Sequence, residues 1–202
     1  MKKLIGIFLV IVLLCPVICA GAEGFVFREN ITWGMNSSEI KKFEGEPDTE
    51  SHHKGVRSLK YRDAETGGCR MDLWYGLSDD FTGNWLFEAF YYQKWEDRAE
   101  AEKAKEKLLE AYRAQYGEPV SDENGYSTVA GVIWAERKLH SKPVSNIDFQ
   151  ATARNFTSWL PEDAVIMIGE RYNSDKKAYE LYVYYLNPEI AELHFHEERD
   201  MF

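Results

Sequence analysis

The chain has 202 residues, 45% hydrophobic and 14% aromatic, and 24 basic against 34 acidic residues give it a net charge of −10. That balance argues against nucleic acid and anionic lipid surfaces, which require a basic footprint. It selects no partner, because solubility alone explains it.

Lys2 and Lys3 form a basic start, and Leu4 to Cys19 is apolar apart from Gly6 and Pro16. Ala20-Gly21-Ala22 then offers the small-x-small pattern that a signal peptidase cuts, so residues 1–22 read as an export signal cleaved near Ala22. A membrane anchor is the competing reading, but the apolar run is short for a span of roughly 20 residues and Pro16 interrupts it. Cys15 and Cys19 lack the small preceding residue that a lipid anchor needs. The expectation is a periplasmic or secreted bacterial protein, with no transmembrane segment in the mature chain. Loss of Lys2 and Lys3 leaves 22 basic residues against 34 acidic ones, a net charge of −12. Cys69 then remains as a lone thiol, which reads more naturally as a small buried hydrophobe than as a nucleophile, since no His-plus-acid set surrounds it.

The remainder divides into a first unit, residues 23–95, and a second, residues 96–202, two tandem parts that could also form one continuous domain. The first opens with an extended entry over Phe25–Phe27 and Ile31–Gly34. Asn36 is a good helix N-cap with Glu39 three residues later, and Met35 and Ile40 hold the staple positions. Ile40 and Phe43 give this two-turn helix an apolar edge, and Gly45-Glu46-Pro47 ends it. Strand-like runs follow at Val56–Arg62, Cys69–Leu77 and Trp85–Trp95, with turns at Thr66-Gly67-Gly68 and Thr82-Gly83-Asn84. His52-His53 reads as a polar loop.

The second unit begins with a stronger helix. From Asp97 to Tyr116 there is no Gly, Pro or β-branched residue, and Ala101, Ala104, Leu108, Tyr112 and Tyr116 recur at helical spacing beside Leu109. It ends on Gly117-Glu118-Pro119, the same phrase that closes the first helix. Strand signals follow at Thr128–Lys138, Ile147–Arg154, Ala164–Arg171 and Tyr179–Leu186, with Asp122–Gly125 and His140–Val144 as loops. In the last strand Tyr179, Leu181, Val183 and Tyr185 face one way and Glu180, Tyr182 and Tyr184 the other. Asn173-Ser174-Asp175 turns between the final pair, and Asn187-Pro188 reads as a cap opening a short terminal helix. Every connection within a sheet is short enough for a hairpin, so the fold class is α+β, two tandem helix-plus-antiparallel-meander units with the helices on one sheet face.

The segment Gly34-Met35-Asn36-Ser37-Ser38-Glu39-Ile40, closed by Gly45-Glu46-Pro47, resembles the start of the SmpA/OmlA-like outer-membrane assembly lipoproteins, although Glu44 stands where their pattern has an apolar residue. The doubled plan resembles the fold of β-lactamase-inhibitor-protein-like modules. The resemblance implies a binding or envelope-maintenance role and carries over no catalytic residue.

No nucleophile elbow, zinc-protease motif, phosphate loop or dinucleotide fingerprint is present. No catalytic, cofactor-binding or metal-binding residue is assigned. His194 and His196 could share a metal if their segment is extended, though exposed histidines at a chain end are the commoner case. Adjacent aromatics fall on opposite faces at Trp74/Tyr75, Tyr91/Tyr92 and Tyr184/Tyr185, so a sheet with aromatics on both sides must cover both or leave one adhesive. The preferred function is therefore a non-enzymatic exported protein that binds an envelope protein or peptide. Its contact surface is expected around Trp74, Trp85, Tyr91 and Tyr184, with acidic residues at the rim. A small-ligand or metal carrier, and an enzyme with no recognisable motif, are the alternatives.

Overall fold

A computed structural model describes residues 25–28, 30–53, 55–78, 84–120, 156–187 and 189–190. The expected export signal, the runs Thr128–Lys138 and Ile147–Arg154, both expected loops, His140, His194 and His196 lie outside the described residues. Among the described residues no helix is long and apolar enough to cross a membrane.

The fold is α+β. Strands β1 (Val26–Arg28) and β2 (Ile31–Thr32) form a small ribbon ahead of helix α1 (Ser37–Glu44). Four strands follow, β3 (Thr49–His53), β4 (Val56–Thr66), β5 (Cys69–Ser78) and β6 (Leu86–Trp95), then helix α2 (Arg98–Tyr116). The last three are β7 (Phe156–Trp159), β8 (Val165–Asn173) and β9 (Ala178–Leu186). They make one seven-stranded sheet in the order β3-β4-β5-β6-β9-β8-β7, antiparallel throughout. The two halves of the chain thus share one sheet, joined where β6 pairs with β9 from Glu88↔Leu186 to Trp95↔Tyr179.

Both helices are written locally and both cover the same side of the sheet. Asn36 and Glu39 close the expected capping box on α1, and Asp97 accepts the N–H of Glu100 at the start of α2. Ile40 from α1 and Leu108 and Tyr112 from α2 enter one core with Leu59, Leu73, Tyr75, Tyr91, Ile166, Val183 and Tyr185. Phe43 corrects the expected apolar edge of α1: it is 49% exposed, so Ile40 alone anchors that helix in the core. Glu44 explains the unexpected charge beside it. Its carboxylate accepts from Arg28 Nε at 2.6 Å and Tyr75 OH at 2.5 Å, which ties the end of α1 to β1 and β5. A carboxylate so paired does here what an apolar residue would do by packing.

Two strands escaped the sequence reading. The loop assigned to His52-His53 is strand β3, whose five residues are all exposed and which pairs on one edge only, so it shows no alternation. Strand β7 is only four residues long and stops before Leu160-Pro161. Asn187 caps the expected terminal turn by accepting the N–H of Ile190 at 2.9 Å.

The repeated helix stop is the same device twice. Gly45 has φ 81° and ψ −166°, and Gly117 has φ 80° and ψ −158°. Each φ is positive, and ψ lies far from the left-handed helical value, in a region reserved for glycine. Gly45 donates to Lys41 O at 3.0 Å and Gly117 to Arg113 O at 2.9 Å. Each glycine carbonyl then accepts from an aromatic donor on a strand, Tyr61 OH at 3.1 Å in β4 and Trp159 Nε1 at 2.9 Å in β7. After each proline the chain meets that same strand, through the β3–β4 ladder in one case and the Val120↔Ser158 bridge in the other.

No heavy atom lies within 4 Å of a Cβ added at Gly45 or Gly117. The cost of alanine there is therefore conformational alone, and Gly45→Ala or Gly117→Ala should each lose about 1–3 kcal/mol in urea unfolding. A loss within experimental error would show that the stop relaxes.

Candidate functional site

The sheet face turned away from α1 and α2 carries the Glu180 network. Alternation places Trp74, Phe90, Tyr92, Tyr182, Tyr184 and Glu180 on it, while Tyr75, Tyr91, Val183 and Tyr185 point into the core. The neighbouring aromatics do divide between faces as their spacing demands. One end of this face is covered: Phe87, Val165, Met167, Tyr184 and Leu186 are buried, with Ile190 packed against them.

The other end is half-exposed and organised around Glu180. Its side chain is 0% exposed and five donors converge on it. Oε1 accepts from Tyr92 OH at 2.9 Å, Asn173 Nδ2 at 3.0 Å and Lys176 Nζ at 2.9 Å. Oε2 accepts from Arg171 Nε at 2.6 Å and Tyr182 OH at 2.6 Å. Burial pushes this carboxyl up, yet the bonds from Tyr182, Lys176, Arg171 and Tyr92 outweigh it and hold the group well below the usual carboxylate range. Glu180 is thus an ionised hub, the opposite of a general acid. Asn173 also accepts the N–H groups of Asp175 and Lys176 at 3.1 Å each, so the β8–β9 turn is shaped to deliver Lys176.

The aromatics form a ladder between two cationic ends. Lys60 Nζ lies 4.5 Å above the Trp74 ring and 2.7 Å from Asp72 Oδ2. The other side of Trp74 stacks on Phe90, centroids 4.9 Å apart and planes 4° apart. Tyr92 meets Trp74 edge-on at 5.9 Å and Tyr182 at 5.3 Å. Arg171 lies 5.3 Å over Tyr182 and Lys176 5.7 Å over Tyr92.

This surface differs from the expected one. Trp74 and Tyr184 share it, with Phe90 between them, but Tyr184 is on the covered side. Tyr91 is 2% exposed on the opposite face, and Trp85, 42% exposed, lies just before β6 rather than in it. The rim is mixed, with Lys60, Lys94, Arg171 and Lys176 beside Asp72, because the acids predominate elsewhere. Glu180 was legible as the one charge in an aromatic alternation, yet its partners Tyr92, 88 residues away, and Arg171 required the sheet order.

The remaining candidates do not join it. His52 pairs opposite Arg57 and His53 opposite Val56, so the two point to opposite faces of β3. Among the described residues no group of three His, Cys, Asp or Glu side chains could hold a metal. Cys69 is half-buried at the start of β5, with its Sγ 3.8 Å from Ala104 O, and burial pushes its thiol up. A thiol so placed is protonated at neutral pH and chemically quiet. A disulfide-exchange reagent at pH 7 should therefore label native protein at least about tenfold more slowly than urea-unfolded protein. Equal rates would mark a reactive thiol.

Because its pKa is lowered on folding, Glu180 contributes stability that is fully present above the unfolded carboxyl value, about 4.3, and is lost as pH falls below it. Glu180→Gln should cost about 2–3 kcal/mol in urea unfolding at pH 7 and distinctly less at pH 3. An equal cost at both pH values would show that the charge contributes nothing.

No protein-family model, curated protein or solved structure matches this chain, so its function rests on this geometry.

Proposed function

We propose that the chain is an exported, non-enzymatic binding protein that holds an envelope protein against the Trp74–Tyr182 face. The observation that carries this reading is the half-exposed run of aromatic rings with cations at both ends, fixed by the rigid Glu180 hub. Tryptophan, tyrosine and arginine are the residue types that dominate binding energy at protein interfaces. Their placement on adjoining strands lets them bind with little loss of side-chain freedom. The basic start, the apolar run after it and Ala20-Gly21-Ala22 support export.

The doubled helix stop supports a tandem origin for the scaffold. In that reading α1-β3-β4-β5-β6 corresponds to α2 with Val120, β7, β8 and β9, and the units meet through their last strands. The resemblance to SmpA/OmlA-like proteins at Gly34–Pro47 agrees with an envelope role for such a module.

Affinity capture from the native envelope fraction tests this function. The wild-type chain should retain a defined partner, and Trp74→Ala, with unchanged far-UV dichroism, should weaken retention about tenfold or more. A chain that stays a partner-free monomer, or capture indifferent to Trp74, overturns the reading. Mass measurement of the exported chain should place its new terminus at Glu23.

A further inference from the structure

We infer that the partner presents carboxylates: the cations gathered around Glu180 receive an extended segment of protein bearing Asp and Glu side chains. This rests on the binding reading above and adds the chemistry of what is bound.

The charge count at the hub is uneven. Among the described residues Glu180 is the only carboxylate paired with Arg171 and Lys176, and Lys94 stands opposite it in the β6–β9 ladder. Two paired cations therefore meet one buried anion, an excess of one positive charge beside the exposed Lys94. The anion is fully enclosed, whereas the Arg171 and Lys176 side chains are 58% and 52% exposed. Arg171 turns its Nε inward to Glu180, and Lys176 spends one of its three donors there. Both are held by one end and open at the other. That arrangement fixes an anion-binding pair before any ligand arrives, which lowers the entropic cost of binding.

The tryptophan plane is closed to a neutral stacking ligand. Trp74 has Lys60 on one face and Phe90 on the other, so no open indole plane is left to receive a sugar or a base. Tyr92 and Tyr182 have Lys176 and Arg171 above them and their hydroxyls committed to Glu180. Ring edges, which carry the positive end of the aromatic quadrupole, remain for contact. Edges, ammonium groups and a guanidinium together favour acceptors, and carboxylates on an extended chain can follow the row of strands. At the far end Lys60 is neutralised by Asp72, so the pull is concentrated at Glu180.

The test uses the mature full-length chain and three labelled peptides of equal length: one alternating Glu with Ser, its Gln counterpart and its Lys counterpart, read by fluorescence anisotropy. The Glu peptide should bind at least about tenfold tighter than either other peptide at low salt and weaken toward about 0.15 M salt. Arg171→Gln/Lys176→Gln should reduce that affinity about tenfold, while Lys42→Gln/Lys103→Gln, an equal charge change away from this face, should leave it within about twofold. The inference is overturned if the Gln peptide binds as well, if the two double variants behave alike, or if an oligogalacturonate of equal charge binds more tightly. Capture of the envelope partner separates the two readings. If Arg171→Gln/Lys176→Gln retains that partner at the wild-type level while Trp74→Ala loses it, the acidic chemistry fails and the binding face stands.

Discussion

The pairing of β6 with β9 is the joint on which both sides of the molecule depend. It brings together strands about ninety residues apart, across α2, and in doing so fixes which aromatics meet. On the helix side it sets Tyr91 beside Tyr185 at 6.2 Å, under Tyr112 of α2, which hydrogen-bonds to Tyr185 and, at 2.7 Å, to Thr66 at the end of β4. On the open side it sets Tyr92 beside Tyr182 and both on Glu180. A slip of one residue would exchange the two sets and place the charge of Glu180 under the helix. Register is therefore enforced from both faces, and neither half of the chain could form the site alone.

Two carboxylates show how the fold handles charge near its core. Glu44 closes α1 against Arg28 and Tyr75, and Glu180 gathers five donors under the open face. In each case an arginine Nε at 2.6 Å is joined by tyrosine, Tyr75 on Glu44 and Tyr92 and Tyr182 on Glu180, where Asn173 and Lys176 add two more donors. Removing charges from water is costly, and only a full set of donors offsets it. Tyrosine suits the purpose because its ring packs as a hydrophobe while its hydroxyl reaches the acid. The aromatic content, 14% of the chain, is therefore partly polar in use.

Local signals were legible and long-range ones were not. The cap Asn36, the helix stops at Gly45 and Gly117 and the alternation in β9 each depend on residues within a few positions, and each was legible. The cap Asp97 reads in the sequence as the first residue of its helix. Strands β4, β5 and β6 were found because each has a clear apolar side. Strand β3 failed because all of its residues are exposed, and Phe43 failed because periodicity cannot tell which apolar residue of a two-turn helix reaches the core. The candidate face was half legible. Opposite-facing aromatic pairs gave the two sides, but Tyr91 was placed on the wrong one because its parity could not be tied to Trp74 without the register Trp74↔Phe90.

A cationic island on an acidic chain is less contradictory than the net charge makes it. At physiological salt the screening length is about 8 Å, so a ligand at Arg171 feels the nearest charges and little of the rest. Close to it are Lys176 and a carboxylate that already accepts five hydrogen bonds, with Asp175 in the same turn. The remaining acids act at longer range, where they slow the approach of an acidic partner and weaken every non-specific encounter with one. Affinity then depends on fitting the fork around Glu180 rather than on general attraction. In such a chain the excess acid works as discrimination: only a segment that reaches Arg171 and Lys176 together gains enough to overcome the field around it.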